Sequence, residues 1–210
     1  MGTRSLEERR SKTVRRIFDA AKEIFAEVGF AGARIDEIAR RAGVNKATIY
    51  YRIGEKRALY AGVLHDVFAD TATSISLNLA ETDDPVEKLK KYIGNVARTA
   101  DQNPWVPHIM MRELASGGQN LPDVVAEDFI RILGILRGIL QEGVERGLFI
   151  DVNPLLVHWM ILGPVISHRS MDSVRARCAG MSGQAGKLDA GLPRELAKEV
   201  AHLVLRAVKR

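Results

Sequence analysis

At 210 residues the chain is long for one small domain and short for two independent ones, which favours a small module fused to a larger body. Its net charge of +5 is unevenly placed, since residues 1–60 hold 14 Lys or Arg against 8 Asp or Glu and residues 61–210 hold 17 against 18. A basic head of this kind suits a phosphate backbone, and a lone cysteine, Cys178, excludes an intrachain disulfide.

Helical stripes recur along the whole chain, and no run alternates apolar and polar over six or more residues with Val, Thr and aromatic enrichment, so the fold class is all-α. In the first helix Val14, Ile17, Phe18, Ala21, Ile24, Phe25 and Val28 share one face, the packing base of a small head. Arg4, Arg9, Arg10, Lys12, Arg15 and Arg16 cluster ahead of it or at its start, and Ser5 with Glu8 has capping-box spacing. Two readings of this arm stay open: contact with a minor groove or nearby phosphates, and solvated disorder before Ser11.

Residues 33–59 carry the most information. Ile35, Ile38, Ala39 and Ala42 form one stripe of a short helix, with Asp36 and Glu37 in its first turn and Arg40 and Arg41 in its last, the order that suits the helix dipole. Gly43 ends this helix in a left-handed conformation, Val44 folds the chain back, and Asn45 caps the next helix. There Ile49 and Ile53 face inward, which leaves Lys46, Ala47, Thr48, Tyr50, Tyr51 and Arg52 outward, a face with donors, a methyl group and aromatic rings but no acid. A helix-turn-helix presents the start of its second helix to base edges, while flanking basic groups hold phosphates.

Residues 14–59 resemble the DNA-binding domain of TetR-family transcriptional regulators. The matching elements are residues 24–30 closing the first helix, Ile35, Asp36, Glu37, Ile38 and Ala39 opening the second, and Ala42, Gly43 and Val44 at the turn. Residues 46–51 match on the recognition helix, and Lys56, Arg57, Ala58 and Leu59 match at the start of the fourth. Arg52 and Ile53 depart from the usual His or Tyr and Phe, and Ala47 replaces a glycine, its methyl suited to a thymine methyl. The resemblance implies a three-helix head over residues 1–57 joined by a long fourth helix to a ligand-binding and dimerisation body over residues 58–210. It also implies DNA contacts at Arg34, Asn45, Lys46, Ala47, Thr48, Tyr50, Tyr51, Arg52 and Lys56, the last reaching a phosphate.

The fourth helix is expected over residues 55–79, with Leu59, Val63, Leu64, Val67, Phe68, Ala72, Ile75 and Leu79 buried. Body helices are expected near 85–101, 104–116, 121–147, 153–170 and 193–209, started by Pro85, Pro104, Pro122, Pro154 and Pro193, with Gly147 stopping the third. Residues 172–192, rich in Gly, Ser and Ala, read as a loop. Wide, soft side chains gather in the body, and a cavity lined by Phe68, Trp105, Met110, Met111, Phe129, Leu133, Trp159 and Leu162 would suit a small effector, although such residues also build ordinary cores. On the last helix Leu196, Val200, Leu203, Val204 and Val208 form a stripe, and the resemblance assigns the last two long helices, residues 153–170 and 193–209, to a four-helix bundle with a second subunit, with intramolecular packing as the alternative.

No cofactor is expected. The histidines lack metal-ligand spacing, no catalytic motif is present, and residues 154–166 are too short and too interrupted to span a membrane, which needs about 20 residues. With no signal sequence, a cytoplasmic location fits. The expected function is a dimeric repressor that binds a palindromic operator on double-stranded DNA and is released by an apolar or amphipathic small molecule. A constitutive architectural DNA-binding protein and a helical interaction module are the alternatives.

Overall fold

The head is divided into helices by residues whose backbone preferences differ from those of their neighbours. In the computed structural model, which describes residues 2–171, 173–174, 176–177 and 192–210 without the side chains of residues 2–10, 169 and 192–194, helix α1 (Gly2–Gly32) is bent at Gly29, where φ is 72°. The arm is therefore helical from Gly2. Its buried stripe is Ile17, Ala21, Ile24 and Phe25, whereas Val28, expected on that stripe, is exposed just before the bend.

Helix α2 (Ile35–Ala42) ends where Gly43 takes φ 62° and ψ 41°, and the Val44 amide returns to the Ala39 carbonyl at 3.0 Å. This is the closure that glycine permits without steric strain. The Arg16 guanidinium seals the same turn by donating to the carbonyls of Ala42 and Gly43. Helix α3 (Lys46–Arg52) starts at Asn45, whose side-chain oxygen accepts from the Ala47 amide at 2.9 Å. Ile35, Ile38 and Ile49 are buried and Ile53 is partly buried, as their spacing demands.

Helix α4 (Lys56–Leu79) runs from head to body and buries Leu59, Val63, Leu64, Val67, Ala72 and Ile75, with Phe68 and Leu79 half-buried. The body consists of α5 (Pro85–Gln102), α6 (Trp105–Ala115), α7 (Asp123–Glu145), α8 (Pro154–Ser170) and α9 (Leu192–Val208). Asp84 and Asn153 cap α5 and α8 through their side chains, and Pro85 and Pro154 occupy first-turn positions, where a missing N–H costs nothing. Pro104 and Pro122 stand as caps just before α6 and α7. Each expected helix is present to within about two residues at either end, the usual scatter of helix boundaries. Of the expected 172–192 loop, residues 173–174, 176–177 and Leu192 are helical, and the rest, with Cys178, lies outside the described residues.

Two large apolar cores result among the described residues, with a small third cluster of Ala97, Ala100 and Val165. The head core includes Phe25, Ile38, Ile49, Leu59 and Tyr60, and it takes in Ile109 of α6 and Val125 of α7, so the head is seated on the body. A second core joins α4, α5, α7, α8 and α9 around Leu89, Tyr92, Leu136, Phe149, Ile161 and Val204. The chain end is pinned by backbone bonds from Ile150 N to Val208 O and from Arg210 N to Leu148 O.

Candidate nucleic-acid interface and cavity

Helix α3 stands with one side against the head core and the other bare. Tyr51 is 84% exposed and Tyr50 45%, Lys46, Ala47 and Arg34 are exposed, and Thr48 is half-buried. Lys46 sits 2.9 Å from Asp36 of α2, whose hydrogen bond and charge raise the ammonium's pKa and keep it cationic. Asn45 lies at the edge of this face, its oxygen committed to capping.

Two expected contacts are placed differently. The Lys56 ammonium donates to the carbonyls of Phe30 at 2.9 Å and Ala33 at 3.1 Å and lies 4.6 Å from the Phe30 ring centroid, so here it locks the α1–α2 connection instead of pointing outward. The free carbonyls at the end of a helix are a natural partner for a cation. Arg52 is half-buried, and its Nε has no hydrogen-bond partner among the described residues. Arg41, exposed on α2, is tied to α1 by an ion pair, its guanidinium 2.7 Å from Glu27, whose carboxyl it holds below the usual range.

Below the head, α4 to α8 enclose a cavity of about 60 Å³. Phe68, Met110, Phe129 and Leu162 line it as expected. Trp105, Met111, Leu133 and Trp159 do not: Trp105 packs beside α1 and α4 with Lys22 5.8 Å from its ring, Leu133 packs into the second core, and Met111 and Trp159 are exposed. Apolar character alone did not distinguish cavity wall from core or surface, because all three use the same residue types. Sequence reasoning also missed Thr71, Thr99 and His158 on the wall, polar residues recognisable only once their partners on other helices are known.

His158 is 2% exposed, with Nδ1 2.8 Å from the Tyr92 hydroxyl and its ring edge-on to Phe129 at 5.1 Å. Burial lowers its pKa to about 4 and raises that of Tyr92. Helix α6 touches both cavity and head. Val106, Pro107 and Met110 line the cavity, while Arg112 donates to the carbonyls of Ala26 and Glu27 at the end of α1 and buried Glu113 accepts from Tyr60 at 2.8 Å.

The stripe expected on α9 is mostly internal. Val200, Val204 and Val208 are at most 3% exposed within this chain's own core, Leu196 packs against that core, and Leu203 alone stands out at 62%. Helices α5 and α8 cover the stripe, so intramolecular packing, the alternative reading, accounts for it. An exposed apolar surface lies on α8, the other helix expected in the bundle, at Leu155, Leu156, Trp159 and Met160.

Comparisons with known proteins agree with this architecture. The family model described as bacterial regulatory proteins, tetR family, matches residues 17–63, and one described as tetracyclin repressor-like, C-terminal domain, matches residues 85–183. The HTH-type transcriptional repressor SCO4008 of Streptomyces coelicolor is 32% identical over 145 residues, covering 68% of this chain and 70% of that protein. The HTH-type transcriptional repressor NicS of Pseudomonas putida is 31% identical over 144 residues, 64% of this chain and 65% of that protein, so the match spans about two thirds of these relatives. Among solved structures, a TetR-family regulator from Marinobacter aquaeolei superposes with a TM-score of 0.73 at 18% identity, over 97% of this chain and all of that one. The fatty acid degradation regulator FadR from Bacillus halodurans gives 0.70 at 24% identity, over 92% of this chain and 94% of that one. At such identities these two likenesses show the fold alone. The chain belongs to the TetR family of bacterial regulatory proteins and is a DNA-binding transcriptional regulator.

Proposed function

We propose that this regulator is a homodimeric repressor that binds a palindromic operator on double-stranded DNA and is released by a small, largely apolar effector held in the body cavity. The bare face of α3 carries the reading, with Tyr50 and Tyr51 exposed beside Lys46 and the helix start free of acids. Residues 1–57 act as the DNA-binding domain and 58–210 as the ligand-binding and dimerisation domain, with α4 shared between them. Arg34, Asn45, Lys46, Ala47, Thr48, Tyr50 and Tyr51 form the operator contact surface. Arg52 and Lys56, held inward in the free protein, join it only if they turn outward on DNA.

The names of the relatives support repression, and a likeness to the Bacillus subtilis regulator FadR solved with stearoyl-CoA supports an effector in the body. Two heads on one palindrome require a two-fold dimer, and the exposed apolar surface of α8, together with exposed Leu203 on α9, supports its placement. No cofactor or catalytic step enters this reading, and it places the protein in the cytoplasm. Within it, an effector larger than the cavity pushes α6, and Arg112 and Glu113 carry the displacement to α1 and α4 with a coupling of roughly 1 to 3 kcal/mol.

Band shifts on the DNA flanking the protein's own gene test the proposal. Lys46→Ala and Tyr50→Ala should each weaken specific binding by about tenfold or more, as loss of a good contact of 1–3 kcal/mol implies, and leave the oligomeric state unchanged. Specific binding that both variants retain in full would overturn the assignment of α3.

A further inference from the structure

We propose that Lys56 is a positioning residue for DNA binding: its ammonium stays on the α1–α2 connection when the operator binds, aims α3 through α2, and touches no phosphate. This goes beyond the operator surface assigned above and deepens the reading of α3 as the helix that meets the operator.

A lysine ammonium has three N–H donors. Around Lys56 Nζ stand three carbonyl oxygens, those of Phe30 at 2.9 Å, Ala33 at 3.1 Å and Ala31 at 3.5 Å. Donors and acceptors match in number, so no N–H is left for a phosphate oxygen. The charge also lies 4.6 Å from the Phe30 ring centroid, within the range where an aromatic face attracts a cation.

The acceptors suit a cation. Phe30 and Ala31 stand in the last turn of α1 and Ala33 directly follows that helix, where carbonyls lack helical N–H partners and the negative end of the helix dipole lies. Ala33 is 3% exposed. A Lys56 side chain swung out to DNA would strip its carbonyl of this donor, a loss that a single phosphate contact would have to offset.

The same bonds connect Lys56 to the recognition helix. Lys56 is the first residue of α4, and Ala33 stands two residues before α2, which carries α3 through the Gly43 turn. Phe30 is itself held in place, its ring centroid 5.0 Å from that of Tyr60 and 6.4 Å from that of Phe25 in the head core. One ammonium therefore ties the start of α4 to the end of α1 and the approach to α2, and the mutual angle of these helices sets where α3 points.

Fluorescence titration of the full-length protein tests this, with the flanking duplex of its own gene and a scrambled duplex, each at several salt concentrations. Lys56→Met keeps the stem and removes the ammonium. It should weaken binding to the flanking duplex by about tenfold, the scale of a misaimed base contact, and leave both the affinity for the scrambled duplex and its salt slope unchanged. A phosphate contact predicts otherwise: the slope on the scrambled duplex falls by about 0.9 and both duplexes weaken alike. Either of those results overturns the proposal, and so does an equal loss on both duplexes from a head that unfolds, which circular dichroism under the same conditions would reveal. If Lys56→Met does not fold, Lys56→Arg replaces it, keeping the charge but not the compact three-donor geometry. Flanking-duplex affinity retained in full by Lys56→Arg overturns the proposal. The slope on scrambled DNA needs no operator, so this inference and the assignment of α3 can fail independently.

Discussion

His158 stands in an apolar wall with one polar partner, and its response to acid follows from that placement. Above pH 6.5 the imidazole is neutral in folded and unfolded chains and contributes no pH dependence. As pH falls, the unfolded chain takes up the proton first, because burial holds the folded pKa at about 4. Stability should therefore drop between about pH 6.5 and 4, by at most about 3 kcal/mol from this group. Urea unfolding across this window should show a shallower decline for His158→Leu than for the natural chain, and parallel declines would refute the assignment. Other residues were readable from sequence because their roles are local. Gly43 and Asn45 act on backbone within four residues of themselves, whereas Lys56 found its carbonyl partners 23 and 26 positions away, beyond the reach of local spacing.

At the scale of elements, α6 is the helix that touches both cavity and head. Its last turn holds Glu113, 4% exposed, with Oε1 on the Tyr60 hydroxyl and Oε2 buried without a hydrogen-bond partner among the described residues. Tyr60 in turn packs edge-on against Phe25 at 4.7 Å in the head core. Removing the phenol oxygen leaves a buried carboxyl with no described partner, so Tyr60→Phe should cost about 1–3 kcal/mol. The double variant Tyr60→Phe with Glu113→Leu should recover part of that loss in urea unfolding, because replacing both partners by apolar groups removes the unsatisfied acceptor. A strictly additive double variant would show that the two side chains are not coupled. The helix itself was legible from its proline start and apolar content. Its attachments were not, since Arg112 reaches α1 across 85 residues of sequence.

For the whole molecule, the proposed dimer turns on which surface meets a second copy. The α9 stripe is turned into this chain's own core, and α8 presents Leu156 at 60% exposure and Trp159 at 41%. Leu156→Glu with Trp159→Glu should yield a monomer in sedimentation, with helicity retained because neither side chain supports the core. The same variant should bind an operator at least 100-fold more weakly, as loss of one half-site of several kcal/mol implies. A dimer that persists would place the interface elsewhere.

Residues 33–59 by themselves determined the helix-turn-helix, its inward isoleucines and its outward face, because a turn glycine, a cap and a 3.6-residue period act within a few positions of one another. The body's amphipathic stripes determined that helices form and roughly where they end. Only the tertiary structure decided what each stripe faces. A valine on α9 reads the same whether it meets its own chain or another, and Trp159 and Phe129 read the same on a surface or a cavity wall. The Tyr92–His158 pair, 66 residues apart in sequence, exists only because α5 and α8 pack together. Burial and pairing are properties of the packed chain, and a local pattern cannot specify them.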